Sequence, residues 1–195
     1  MKSELSSKKN IIKTASGILL LAVLIFTYAC SSNKPEEIKA IEKIQEIPSL
    51  ELEDYETFVT DSGKVKYHIT TPHLLQYDKV EDPYKEFPKG GHIITYDSIN
   101  VIKSEIKCQY AINHDKEKLW DLRNNVEAIN EEGVIFNTEQ LFWNEKEKRI
   151  YTDKFIKITT EDKIITGYGL EADQSLNNYE IKNVSAVLGV DEEMQ

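Results

Sequence analysis

Asn113-His114-Asp115-Lys116-Glu117, Asn130-Glu131-Glu132-Gly133, Asn144-Glu145-Lys146-Glu147-Lys148, Thr160-Glu161-Asp162-Lys163 and Asp173-Gln174-Ser175-Leu176-Asn177-Asn178 punctuate the stretch Ile106–Leu188. Their centres lie about 15 residues apart, the spacing of consecutive hairpins. Between them the hydrophobic period is two. Ile102, Ser104, Ile106, Cys108 and Tyr110 share one face, and Lys103, Glu105, Lys107 and Gln109 share the other. Ile156 and Ile158 alternate in the same way with Lys157 and Thr159. Ile164, Thr166, Tyr168, Leu170 and Ala172 alternate with Ile165, Gly167, Gly169 and Glu171, a less clean division because Ile165 falls on the polar side. A self-similarity of about 30 residues overlies this pattern, each unit being a strand pair. The expectation is an all-β fold of stacked short strand pairs, with no helical pattern interrupting it.

The same signals extend toward the N-terminus. Phe58-Val59-Thr60, a turn at Asp61-Ser62-Gly63, and Val65, Tyr67 and Ile69 alternating with Lys64, Lys66, His68 and Thr70 read as a hairpin. Thr71-Pro72-His73 ends or bends its second strand, because proline donates nothing to a ladder. Asp78 to Gly91 reads as a long loop whose Tyr84 and Phe87 cap one end of the core.

The first thirty residues differ in kind. Lys2, Lys8, Lys9 and Lys13 precede an apolar run from Ala15 to Ala29, the pattern of an export signal. Thr27-Tyr28-Ala29-Cys30 before Ser31-Ser32-Asn33 resembles a bacterial lipoprotein signal, which implies lipidation of Cys30; an uncleaved membrane anchor is the alternative. The expected organisation is a signal or anchor over 1–29, a tether over 30–50, a β domain over 51–190 and an acidic tail over 191–195. With Cys30 acylated, Cys108 has no disulfide partner and reads as a small buried hydrophobe. The chain carries a net charge of −10. Residues 1–29 hold four Lys and one Glu, so the mature chain is near −13. An acidic body of this kind argues against nucleic acid, which needs a basic stripe.

A longer series of residues resembles the LptC family. It comprises Tyr77, Pro83-Tyr84-Lys85-Glu86-Phe87-Pro88-Lys89-Gly90-Gly91, Tyr96-Asp97-Ser98, Tyr110-Ala111, Lys118-Leu119-Trp120 and Asn125-Val126. It continues with Thr138-Glu139-Gln140-Leu141-Phe142-Trp143, Ile150 to Ile158, Gly167-Tyr168-Gly169-Leu170-Glu171-Ala172 and Asn183-Val184, and so spans about residues 50–190 in the form found in Bacteroidetes-type bacteria. The resemblance implies an elongated, V-shaped antiparallel β-jelly-roll in the periplasm, tethered to a membrane, which the family places at the inner one, with the outer membrane as the alternative. It implies lipopolysaccharide as ligand, its lipid A acyl chains held in an apolar interior. It implies an inner-membrane ABC transporter as donor and a periplasmic bridge protein of the same fold as acceptor.

On that reading the inward apolar set is Trp120, Leu122, Leu141, Trp143, Ile156, Ile158, Tyr168, Leu170 and Ile181. The last strand, with Val184, Ala186 and Leu188 on one face, is weakly guarded by charge and is expected to dock the next jelly-roll by strand addition. The strands near Leu52–Val59 are expected to face the transporter.

Catalytic signatures are missing from the sequence. His68 and His73 have no Cys or acidic pair at zinc spacing, so no metal site is expected. There is no G-x-S-x-G and no phosphate-cradling loop, and neither a cofactor nor an enzyme activity is expected. A glycan-binding or scaffolding β-sandwich is the alternative function, with Trp120, Trp143, Tyr151 and Tyr168 as a stacking surface. Parity weighs against it, since most of these fall with the aliphatics.

Overall fold

The structure is a computed structural model that describes residues 47–189. The expected signal or anchor over 1–29, the lipidated Cys30, most of the tether and the acidic tail lie outside the described residues. Eleven strands make up the fold: β1 (Leu50–Asp61), β2 (Lys64–Tyr77), β3 (Tyr84–Phe87), β4 (Gly91–Tyr96), β5 (Ile102–Cys108), β6 (Tyr110–His114), β7 (Leu119–Asn130), β8 (Ile135–Asn144), β9 (Arg149–Thr159), β10 (Lys163–Asp173) and β11 (Tyr179–Gly189). Every pairing is antiparallel, and all eleven belong to one continuous sheet. The fold is an all-β jelly-roll.

The sheet is folded in two, and the pairing shows how. β7 pairs with β6 through Leu119–Arg123 and with β5 through Glu127–Asn130. β2 likewise pairs with β3 through Leu75–Tyr77 and with β4 through Tyr67–Thr70. One layer therefore runs through β3, β6 and the first half of β7; the other runs through β4, β5 and its second half. β8 to β11 continue both layers, and each of these long strands crosses from one to the other.

Bends at mid-strand make the crossing possible. In β7 the register slips between Arg123 and Val126, where Asn124 and Asn125 take φ of 62° and 53°. Asn adopts this left-handed region more readily than most residues, so the bend falls where the sequence permits it. In β10 the slip lies between Tyr168 and Leu170, with Gly169 at φ 76°. In β1, Asp54 at φ 48° stands opposite Pro72 of β2. Proline thus bends β2 rather than ending it, and the bend explains why inward Thr71 and Leu74 are three residues apart rather than two.

The turns follow their sequence. Ser62 and Gly63 link β1 to β2 with φ of 52° and 78°, positive at both central positions as a tight hairpin requires. Lys118 and Lys148, thirty positions apart, hold φ of 56° and 54° in equivalent turns, the backbone counterpart of the sequence repeat. One expectation changes. The stretch Asp78–Gly91 contains a strand, β3, held by β2 and β6. Phe87 is buried there with its ring 5.2 Å from that of Trp120, and Tyr84 stacks on Tyr77 at 4.6 Å.

Candidate functional site

The space between the layers is lined by the residues that alternation had put inward. Leu122, Ile156, Ile158 and Leu170 are 0% exposed, and Trp120, Leu141 and Trp143 no more than 3%. Ile181 is half-buried against them. Trp120, Leu122, Leu141, Trp143 and Leu170 belong to the first layer, and Ile156 and Ile158 to the second. Aromatic contacts join the layers: Tyr67 of β2 meets Trp143 edge-on at 5.4 Å, and Phe136 of β8 meets Tyr179 of β11 at 5.1 Å. Val126, Phe136 and Ile150 are equally buried and were not singled out from the sequence, although each sits in an alternating run.

Tyr168 is a correction. It is 54% exposed on the outer face, edge-on to Phe155 at 5.5 Å. The bulge at Gly169 reverses parity, so the inward residues of β10 are Leu170 and Ala172 on one side of it and Ile165 on the other. With Trp120 and Trp143 buried, the proposed sugar-stacking surface loses both indoles.

The placing of Val184, Ala186 and Leu188 on one face is a second correction. The β10–β11 register slips between Thr166 and Gly167, so Val184 stands opposite Gly167 and Val187 opposite Ile165, while Ala186 and Leu188 stand opposite Thr166 and Ile164. Residues opposite one another share a face. Ile165 in turn faces Ile158, and Gly167 faces Ile156, both in the interior. Val184 and Val187 therefore extend the interior apolar row, whereas Ala186 and Leu188 lie outside. Yet Val184 and Val187 are 57% and 59% exposed. The row Ile156–Ile158–Ile165 runs out into solvent at β11, a strand with no neighbour on its far side among the described residues.

Opposite the bends, where the hairpin turns of the two layers approach, polar contacts close a seam. The Glu145 carboxylate, in the β8–β9 turn, accepts from Trp120 Nε1 at 2.7 Å and from the Tyr67 hydroxyl at 3.0 Å. Burial, and then the adjacent Glu145 charge, hold the Tyr67 phenol well above its ordinary value, so it stays a donor. The β10–β11 turn folds inward, with Leu176 at φ 61° and 0% exposed. Asn130 Nδ2 donates to its carbonyl at 3.2 Å, Asn177 Nδ2 donates to Glu131 at 2.6 Å, and the Ser104 hydroxyl donates to the Gln174 carbonyl at 3.3 Å. These contacts surround a cavity of about 930 Å³ lined by Val59, Val65, Tyr67 and Trp143 below and by charged side chains at the rim. Neither Glu145 nor Leu176 was identified from the sequence. Both sit in polar turns, where the ordinary expectation for a side chain is solvent.

Among the described residues no cluster of three or more His, Cys, Asp or Glu side chains has metal-binding geometry. Cys108 is a free thiol packed against the core, and burial pushes its pKa up. No curated protein matches the chain. The family described as lipopolysaccharide-assembly, LptC-related matches it over residues 17–188.

Proposed function

The chain belongs to the LptC-related family of lipopolysaccharide-assembly proteins, and from that membership we propose that it relays lipopolysaccharide by taking the acyl chains between its two β layers. The supporting observation is the apolar row of Ile156, Ile158 and Ile165, which continues through Val184 and Val187 to an uncovered edge. A closed core has no reason to extend its inner face into water. A conduit does, because a chain leaving one protein must meet apolar surface at once. Each methylene kept from water is worth about 0.8 kcal/mol, so a gap of several carbons between carriers would stall transfer.

Transfer on this reading has a direction. Among the described residues the free edges are β1 and β11. The inner-membrane ABC transporter meets the β1 edge and delivers lipid, and a periplasmic bridge protein of the same fold adds its strand to β11. The chain acts at the periplasmic side of the inner membrane, held by its N-terminal segment. It moves the lipid without altering it, and the transporter's ATP hydrolysis supplies the energy. With the interior as filled as it is, lipid enters by parting the seam, which breaks the Glu145 contacts and withdraws Leu176.

The test compares Val187→Glu with Leu188→Glu in cells that depend on this protein. The two positions are adjacent, 59% and 60% exposed, and on opposite faces. The inward charge at 187 is expected to block export and leave lipopolysaccharide in the inner membrane, while the outward charge at 188 supports export more nearly as the unsubstituted chain does. Full export with Val187→Glu at normal protein level would overturn the proposal.

A further inference from the structure

The cavity at the seam is amphipathic, and its charges are not equivalent. At its rim Asp61 is paired with Lys66 at 3.4 Å, and Lys103 bridges Glu131 at 2.5 Å and Asp97 at 3.7 Å. Both oxygens of Glu145 are taken by Trp120 and Tyr67. Every acid lining the cavity is thus engaged. Two lysines are not. Lys64, which begins β2 in the second layer, and Lys148, in the β8–β9 turn of the first, line the same cavity without an ion pair or side-chain hydrogen bond among the described residues. The lining acids and lysines balance in number, but Lys64 and Lys148 stand on opposite sides of one opening without an ion pair, and so are the cations there that are free to meet an incoming anion. The wall adds a further donor: Trp143 Nε1 is buried without a partner. Buried N–H groups are nearly always satisfied, so this one is an open position for an oxygen acceptor.

We propose that this cavity seats the phosphorylated sugar head of the transported lipid, with Lys64 and Lys148 as its phosphate-binding groups. The inference rests on the reading of the interior as the acyl path. It follows from the position of the cavity, whose floor of Tyr67 and Trp143 is the outer limit of the apolar interior. A lipid with its tails between the layers places its head at the seam. Lysine binds phosphate as a point charge without fixed geometry, which suits two rims that move apart and together. Trp143 Nε1 then serves an ester or phosphate oxygen once the head displaces the rings around it.

Calorimetric titration of the full chain in detergent tests this with three probes: bisphosphorylated lipid A, the same lipid with both phosphates removed, and inorganic phosphate. The unsubstituted chain is expected to bind the phosphorylated lipid at least about tenfold more tightly than the dephosphorylated one, the difference that one charge-assisted contact supplies. The Lys64→Ala/Lys148→Ala double variant is expected to lose that preference while binding dephosphorylated lipid unchanged. Lys157→Ala, which removes an outward charge, is expected to keep it. Equal binding of the two lipids, or equal damage from Lys157→Ala, would overturn the inference and leave the acyl path standing. Inorganic phosphate binding as tightly as the lipid, and dependent on Lys64 and Lys148, would overturn it in favour of a free-anion site. If the unsubstituted chain binds neither lipid, the acyl path itself fails and this inference goes with it.

Discussion

At the scale of single residues the seam depends most on Glu145, because its carboxylate satisfies donors from both layers at once. Removing it leaves the part-buried Tyr67 hydroxyl without its acceptor, while Trp120 Nε1 keeps the Asn113 side-chain oxygen at 2.9 Å, and an unmade buried hydrogen bond costs about 1–3 kcal/mol. Glu145→Ala is therefore expected to lower stability by about that amount in chemical denaturation, and Glu145→Gln by less, since its amide oxygen still accepts. Coincident unfolding curves for both variants and the unsubstituted chain would mean that the latch holds nothing. Nothing in the sequence distinguishes this glutamate from Glu131 or Glu161, which also lie in turn clusters. Its role comes from a partner 78 positions away, Tyr67, and no local pattern encodes such a contact. The inward aliphatics were legible because their burial follows from strand parity alone.

At the scale of the strand, parity is also where the sequence reading failed. Alternation predicts which residues share a face only while the ladder is unbroken, and both misplaced sets, Tyr168 and the Val184–Ala186–Leu188 trio, lie beyond a bulge. The bulges had visible signals in hindsight: Gly167 and Gly169 flank Tyr168, and isolated glycines inside a strand pattern mark bulges or close approaches. The two glycines serve different needs. A Cβ at Gly167 would strike the backbone carbonyl of Asn183, which cannot step aside without breaking the β10–β11 ladder. One at Gly169 would meet only the flexible Lys182 side chain at 3.2 Å, but the φ of 76° costs a non-glycine residue about 1–2 kcal/mol. Gly169→Ala is expected to lower stability by that amount with the fold kept, and Gly167→Ala by more, as measured by thermal melting. The reverse order would mean that the bend, not the close approach of β11, carries the strain.

At the scale of the whole fold, hairpin order from Ile106 onward and the hairpin at Asp61–Lys64 were both present in the spacing of the polar turns. The strand β3 inside a Pro- and Gly-rich segment was not, because its four residues are held by β2 and β6 rather than by their own pattern. Whether the layers close was not legible either, since an apolar face looks the same packed or open. The structure gives both conditions in one molecule: a filled interior over most of its length and an uncovered inner face at β11. Photo-crosslinking in living cells tests the resulting account most directly, with a photoreactive side chain placed singly at Ile165 and at Ile164. These neighbours are both half-buried and face opposite sides of β10, Ile165 toward the acyl path and Ile164 away from it. The account predicts lipopolysaccharide adducts at position 165 and none at 164. Adducts at both positions alike, or none at 165 in a folded and exported chain, would contradict it.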